Sequence, residues 1–432
     1  MLERLFALQE RGTTIRREVA AGVTTFLAMS YILFVNPQIL TDAGMDPGAV
    51  FVATCLAAAI GTLIMGLYAN FPIAVAPGMG LNAFFTYGVV IGMGVPWQVA
   101  LGCVFLSGCI FLALSVLPIR EWIINAIPMD LKLAISAGIG LFLLIIGLRD
   151  IGLVVDSPAT LLTVGDITSP PVVLATFGFL LTVLLEARKV PGAIIIGIIT
   201  TAVLGVLFGE GSYTGIVSLP PDVSPTAFQL DLANAATLGL VTVVISLLFV
   251  DMFDTAGTLI GVAHRAGLLD ENGQLPGMKK ALVADSFATI IGAVIGTSSV
   301  TSYVESAAGV RAGGRTGLTA VVVAVLFLAA LVLAPLAGMI QGYATGPALI
   351  FVGCVMVSGL AHVDWDDVTS FVPAAIMAAA MPFTYSIATG LGLGFIVFAV
   401  LKIGTGKWRE AGAGPLVLAA LFLAKFVFLD AA

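Results

Sequence analysis

Apolar stretches of roughly 17–25 residues, nearly free of Asp, Glu, Lys and Arg, recur along the whole chain, and each is long enough to cross a hydrocarbon core ~30 Å thick. Such segments must satisfy their own backbone hydrogen bonds in lipid, which makes them helices. The composition agrees: 59 % of the 432 residues are hydrophobic and 10 % are charged, and the mean hydropathy is +1.13. A soluble protein of this size would need more charge. The chain therefore reads as an all-α polytopic membrane protein. The formal net charge of −7 says little about partners, because orientation follows the placement of Lys and Arg. No nucleic-acid partner is expected. The N-terminus lacks an A-x-A-like cleavage site, so no signal peptide is expected. Cys55, Cys103, Cys109 and Cys354 lie in apolar stretches and read as small buried hydrophobes, with no metal or disulfide spacing. His264 and His362 fall at predicted membrane edges, which leaves no histidine-based metal site. No cofactor is expected.

Spans are read at 17–40, 49–68, 72–92, 97–117, 129–148, 171–187, 192–209, 235–262, 280–296, 299–311, 317–341, 346–361, 369–385 and 387–404, about 14 in all. A last apolar run at 414–429 carries Lys425 and reads as a further span or an interfacial helix. Arg11, Arg16 and Arg17 place the N-terminus inside, and every second loop is then basic. Those loops carry Arg120 and Lys132, then Arg188 and Lys189, then Arg265, Lys279 and Lys280, then Arg311 and Arg315, then Lys402, Lys407 and Arg409. The expected outer loops near 41–48, 93–96, 210–234 and 342–345 carry none; Arg149, beside Asp150, is the exception. The loops 150–170 and 210–234, rich in Pro, Gly, Ser and Asp, read as surface connections.

The chain repeats itself. "ILFVN" at 32–36 matches "LLFVD" at 247–251, an offset of 215 that is close to half the length. Each half then runs through the same order of segments, including a short one interrupted by Gly, Pro or Ser. Seven spans per half is odd, so the second half is inverted. Paired interrupted segments in inverted repeats point to a secondary transporter and to its binding site. The two segments are "FPIAVAPGMGLNAFFTYG" (71–88) and "GTSSVTSYVESAAGVRAGG" (296–314). Each reads as extended backbone followed by a half-helix, the second helix starting near Ser302. Irregular backbone at membrane depth survives only when buried or lining a cavity, and free N–H groups at a half-helix start can bind a polar ligand.

Four acids lie inside spans: Asp251, Asp254, Asp285 and Glu305. A charge at the bilayer centre costs roughly 2.5–3.5 kcal/mol on insertion scales, so each should be protonated, paired or lining a polar cavity. Those conditions suit a group that binds and releases a proton during transport. Ser302-Tyr303-Val304-Glu305 also matches the capping box S-x-x-E, in which the glutamate closes a helix start. Asp251 and Asp254 share a helical face with Thr255 and Thr258, and one of the pair reads as an orienting partner. Asp285 lies about a turn from Lys280, so a salt bridge or a network role is open beside a direct one. Asn82, at the first half-helix, offers donor and acceptor to a heterocycle or serves as a packing amide. Phe84, Phe85 and Phe26 could stack on a flat ring or face the core or lipid. Basic residues are absent from the centres of these spans, which suits a neutral hydrogen-bonding substrate coupled to protons. No Walker motif is present, which excludes ATP-driven transport.

"GVTTFLAMSYILFVNP", "APGMGLNAFFTYG", "LLFVDMFDTAGTLIGVA", "ADSFATIIGAVIGTSSVTSYVESAAGVRAGGRTGLTA" and "MPFTYSIATGLGLGF" resemble the AzgA-like branch of the nucleobase:cation symporter 2 family, from about residue 10 to residue 404. These are permeases for hypoxanthine, guanine and adenine. The resemblance implies two inverted seven-span repeats with short β-strands in spans 3 and 10. It implies a core domain over 17–117 and 235–341 and a gate domain over 118–209 and 342–404, flanked by a cytoplasmic segment 1–16 and a C-terminal segment 405–432. By motif position the substrate-binding acids fall on Asp254 and Glu305, the ninth-span aspartate on Asp285 and the third-span asparagine on Asn82. Thr258 stands where the uracil branch has histidine, which points to purines. The substrate set is completed by Ser302, Phe84 and Phe26, and proton coupling falls to Asp254, Glu305 or Asp285. The implied protein is a proton-coupled purine symporter of the inner membrane, not an enzyme, often dimeric through the gate. A sulfate-permease-type anion transporter shares the architecture and is disfavoured by two site carboxylates. A membrane-embedded aspartyl hydrolase is disfavoured because Asp251 and Asp254 share one helix without a G-x-G-D-like flank.

Overall fold

A computed structural model describes residues 2–117, 127–213, 215–268 and 275–428. Arg120 lies outside the described residues, as do the side chains of His264 and Arg265 and the last residue of the 414–429 run. The elements in chain order begin with α1 (Leu2–Phe6), α2 (Ile15–Met29), α3 (Ile32–Asp42), α4 (Pro47–Ile64), β1 (Val75–Pro77), α5 (Met79–Ala83) and α6 (Trp97–Val116). They continue with α7 (Met129–Asp150), the hairpin β2 (Val154–Ser157) and β3 (Leu161–Val164), α8 (Pro170–Ala187) and α9 (Ala193–Leu207). The second half holds α10 (Val241–Ala266), α11 (Met278–Ile295), β4 (Val300–Ser302), α12 (Ser306–Arg311), α13 (Gly317–Ala330), α14 (Gly342–Val357), α15 (Val368–Phe383), α16 (Ile387–Gly404) and α17 (Ala413–Phe428). Among the described residues nine helical stretches are long and apolar enough to cross a membrane, and four shorter apolar helices accompany them. The segment order matches the expected spans. The 150–170 loop differs by folding an exposed hairpin, and the last apolar run is a helix packed on α16 through Phe395, Phe422 and Phe426.

The helices pack in two sets. One holds α2, α3, α4, α6, α10, α11, α12 and α13, and the other holds α7, α8, α9, α14, α15, α16 and α17. Packing within each set is extensive, whereas across the seam it is sparse. Small residues permit the tight crossings. A Cβ on Gly309 of α12 would run into Thr25 and the Ala21 carbonyl of α2, so the "AAG" that follows Glu305 lets this half-helix lie against α2.

One buried carboxylate outside the expected four holds the first set together. Glu18 is fully buried at the start of α2 and accepts from Arg315 N (2.9 Å), Thr316 N (3.2 Å), Thr316 Oγ1 (2.9 Å) and Thr319 Oγ1 (2.6 Å). These donors surround the N-terminus of α13, where orphan N–H groups and the helix dipole favour an anion. Phe6 and Leu8 of the N-terminal segment are buried against Leu318 beside it.

Candidate functional site

The two interrupted segments meet as expected. β1 and β4 pair antiparallel with Val75 opposite Ser302, Ala76 opposite Thr301 and Pro77 opposite Val300. Gly78 N to Ser299 O and Tyr303 N to Ala74 O, each 2.9 Å, extend the pairing. A two-stranded patch this short needs outside help to stay ordered, and each repeat supplies the same device. Thr62, near the end of α4, accepts from Val75 N (3.0 Å) and donates to Val75 O (2.9 Å). Thr289 of α11 accepts from Val300 N (3.2 Å) and donates to Val300 O (2.8 Å). The internal repeat thus reaches individual hydrogen bonds. The Tyr303 hydroxyl closes the patch by donating to Pro77 O at 2.6 Å. Behind the strands α5 continues from Phe84 to Ile91 as a wider π-type helix, while α12 is a short half-helix.

Glu305 does not close a capping box. Ser302 is the last residue of β4, helix begins only at Ser306, and Glu305 is itself the residue before the first turn, without a capping side-chain bond. Strand pairing takes the backbone that a cap would need. The carboxylate is half-buried and accepts from the Tyr31 hydroxyl at 2.6 Å. Tyr31 is fully buried at the break between α2 and α3. Sequence reasoning missed it: the two residues are 274 positions apart, and the first span reads as continuous over 17–40.

The polar stripe of α10 divides. Asp251 and Thr255, one turn apart, face inward. Thr289 Oγ1 lies 3.1 Å from Asp251 Oδ2, and Thr255 donates to Asp285 Oδ2 at 2.8 Å while touching Thr301 Oγ1 at 2.7 Å. Ser302 Oγ donates to Asp285 Oδ1 at 2.8 Å. Asp285 is therefore a network residue. It makes no salt bridge to Lys280, whose ammonium lies 5.9 Å from the Tyr68 ring centroid. Asp254 and Thr258 occupy the adjacent face and are half-buried. No hydrogen bond from a described residue reaches the Asp254 carboxylate, although α10 packs on both β4 and α12 and the charge on Glu305 acts on it. None of the four acids has a basic partner among the described residues.

Of the remaining candidates, Asn82, Phe84 and Phe85 are less accessible, whereas Phe26 is half-buried. Asn82 is fully buried; its amide donates to Asn36 Oδ1 at 2.5 Å and its carbonyl oxygen accepts from Ser298 Oγ. Asn36 in turn donates to Thr54 (2.7 Å) and Thr297 (3.0 Å). Asn82 thus ties the half-helix to the segment before β4. Phe84 and Phe85 are buried, and Phe26 meets Phe327 edge-on at 5.2 Å. Asp254 and Thr258 thus share a half-buried face of α10, the helix that packs on β4 and on α12 beside the half-buried Glu305, while Ser302 and Asp285 are bonded to each other. Among the described residues no group of His, Cys, Asp and Glu is arranged to hold a metal ion. The Asp254 carboxylate and the remaining acceptor capacity of Glu305 can hold a neutral, planar molecule that presents donors along its edge.

Comparison with known proteins agrees with this architecture. The model described as Permease family matches residues 16–424. The adenine permease AdeP of Escherichia coli K12 is 52 % identical over 431 residues, covering 100 % of this chain and 97 % of that protein. The guanine/hypoxanthine permease PbuG of Bacillus subtilis 168 is 47 % identical, covering 99 % and 100 %. Among solved structures, the transmembrane domain of the cyanobacterial bicarbonate transporter BicA superposes with a TM-score of 0.67 at 15 % identity, over 86 % of this chain and 96 % of that one, a likeness of fold alone. The chain belongs to the Permease family, and its resemblance to the AzgA-like branch holds.

Proposed function

We propose that this member of the Permease family carries purine nucleobases across the cytoplasmic membrane in symport with protons. One observation carries the reading: Asp254 and Glu305 are half-buried on helices that pack together, close enough for their charges to interact, and have no basic partner among the described residues. A purine edge offers N–H donors to both carboxylates; the Ser306, Ala307 and Ala308 N–H groups at the start of α12 are already bonded to Tyr303, Val304 and Glu305 carbonyls. The names of the relatives, permeases for adenine and for guanine/hypoxanthine, support purines over pyrimidines. An anion would meet two carboxylates and no basic partner of theirs among the described residues, so the fold shared with a bicarbonate transporter does not extend to its substrate.

Tyr31 positions Glu305, while Thr258 stands one turn from Asp254 on α10. Asp285, held by Thr255 and Ser302, fixes the β4 end of the site. One of the site carboxyls takes up the coupled proton, which removes the repulsion between Asp254 and Glu305 as the base binds. Asn82, Phe84 and Phe26 act through packing in this conformation. The first helix set is the core and the second the gate, and movement along their sparse seam alternates access. The basic loops support a cytoplasmic N-terminus, and a dimer through the gate set is the expected assembly. A thermal-shift panel on the purified protein tests the ligand class. Adenine, hypoxanthine and guanine should raise the unfolding midpoint, since ligand at about 100 times Kd adds about 2.7 kcal/mol. Stabilisation by bicarbonate and none by any purine would overturn the reading.

A further inference from the structure

The register of β1 and β4 equates the two repeats residue by residue. Val75 and Val300 each take the same pair of threonine bonds, so five residues on, from 75 to 80 and from 300 to 305, Gly80 is the counterpart of Glu305. Where the second half carries an acid of the site, the first half carries no side chain. Gly80 lies inside α5, and its φ is not in the left-handed region, so the backbone there does not require glycine. Glycine inside a helix is destabilising relative to alanine, so its presence needs another reason.

That reason stands across the seam. A Cβ on Gly80 would run into the Cγ2 methyl of Ile139 on α7, in the second helix set, while Ile139 Cβ would lie 3.6 Å from it, an ordinary contact. Ile139 is 3 % exposed, and on a helix its β-branch holds that methyl in one strongly preferred rotamer. The helix behind it is backed as well. Gly138 lies against Ala378 and Met381 of α15, and Gly140 against the Gly353 carbonyl and Met356 of α14, too close for either glycine to admit a Cβ. Ile139 is therefore a fixed peg of the second set, and Gly80 is its seat on the first.

The α12 side of the strand pair is not covered in this way. Val304, beside Glu305, is 51 % exposed. On α10, Gly257 and Gly261 continue the face of Asp254 and Thr258 toward the Ala266 end; both are exposed, and no atom of the described residues lies within 4 Å of a Cβ placed on either. A membrane-helix face that carries a carboxylate turns to a water-filled crevice, not to lipid. The helix sets are thus seated at the first repeat and apart at the second.

We propose that the seating of Ile139 on Gly80 selects this conformation, in which the face of Asp254 stands open, and that the seat is vacated in the opposite one. This rests on the transport reading above, which supplies the second conformation. Position 80 acts on the site through the placement of α7, not by touching substrate.

The test is a cysteine reporter in the full-length chain. With Cys55, Cys103, Cys109 and Cys354 replaced by alanine, Gly261→Cys, which has room for its side chain, is labelled by a membrane-impermeant maleimide in intact cells and in inverted vesicles without purine. On the side where this reporter labels, Gly80→Ala should slow labelling about fivefold, because overpacking shifts a near-even two-state equilibrium roughly tenfold toward the other state. Ile139→Ala removes the obstructing methyl, so Gly80→Ala together with Ile139→Ala should regain most of the native rate. Packing that is merely loosened would expose the cysteine more and speed its labelling. If Gly80→Ala does not reach the membrane, Ile139→Phe overfills the same seat from the other side and should slow labelling likewise. Native or faster labelling in the single variants, or a slowing that Ile139→Ala does not relieve, overturns the proposal. The readout needs no substrate, so a chain that takes up no purine refutes the transport reading and leaves these rates to judge the seat.

Discussion

Replacing Tyr31 by Phe removes one hydroxyl from a fully buried side chain, and with it the 2.6 Å bond to Glu305 Oε1. The ring volume stays, so the surrounding core keeps its packing. A hydrogen bond to a charged group contributes about 1.5–3 kcal/mol. Glu305 is half-buried, and water replaces part of what is lost, which puts the net effect near the lower bound, about 1.5 kcal/mol. That is about a tenfold change in an equilibrium constant. If Tyr31 holds Glu305 against the substrate, the loss appears as weaker binding. KM for purine uptake should rise about tenfold, with a smaller change in the maximal rate per transporter. The assay is the initial rate of radiolabelled adenine and hypoxanthine uptake in cells lacking their own purine carriers, scaled to the amount of protein in the membrane. A KM within twofold of the native value, in a variant that elutes as the native protein does, refutes the positioning role.

Thr289→Val and Thr62→Val should each lower the unfolding midpoint, because each leaves a buried strand N–H without its acceptor at about 1–3 kcal/mol, and the serine variants should recover most of it. Glu18→Ala strips the α13 N-terminus of its anion and should cost at least about 1–3 kcal/mol, read as a lower midpoint in detergent, with Glu18→Gln intermediate. In the second helix set, hydrogen bonds from the Thr369 backbone and hydroxyl, then Lys407 and Lys402, hold Asp367 below the usual carboxylate range. Its folded pKa is depressed, so its stabilisation is present above about pH 4 and is lost as the pH falls through the folded value. Asp367→Asn should therefore lower the midpoint at pH 7 and converge with the native protein in acid, and equal differences at both pH values would refute the assignment.

What sequence could reveal here follows from the range of the forces involved. Hydropathy is local, so span order and the alternation of basic loops were legible, as was the repeat of "ILFVN" in "LLFVD". The extended-then-helical reading of 71–88 and 296–314 was legible for the same reason: Pro72, Pro77 and the Thr/Ser run exclude helix locally. Asp254 and Glu305 stood out because carboxylates are costly in a membrane. The capping box failed because Ser302 is drawn into strand pairing with Val75, a contact between residues 227 apart in sequence. Tyr31 and Glu18 stayed hidden for the same reason. Both act on partners from the other half of the chain, and neither lies in an unusual local pattern. Asn82 was noticed correctly as polar in an apolar segment, but only packing reveals that Asn36 and Ser298 already occupy it.

The most direct test of the central claim uses purified protein in liposomes with an imposed pH gradient and radiolabelled adenine, guanine and hypoxanthine. Native protein should concentrate at least one of these bases when the loading side is acidic and stop doing so when a protonophore is added. Asp254→Asn together with Glu305→Gln should abolish accumulation. Accumulation that ignores the pH gradient, or that survives the paired substitution, would contradict the account.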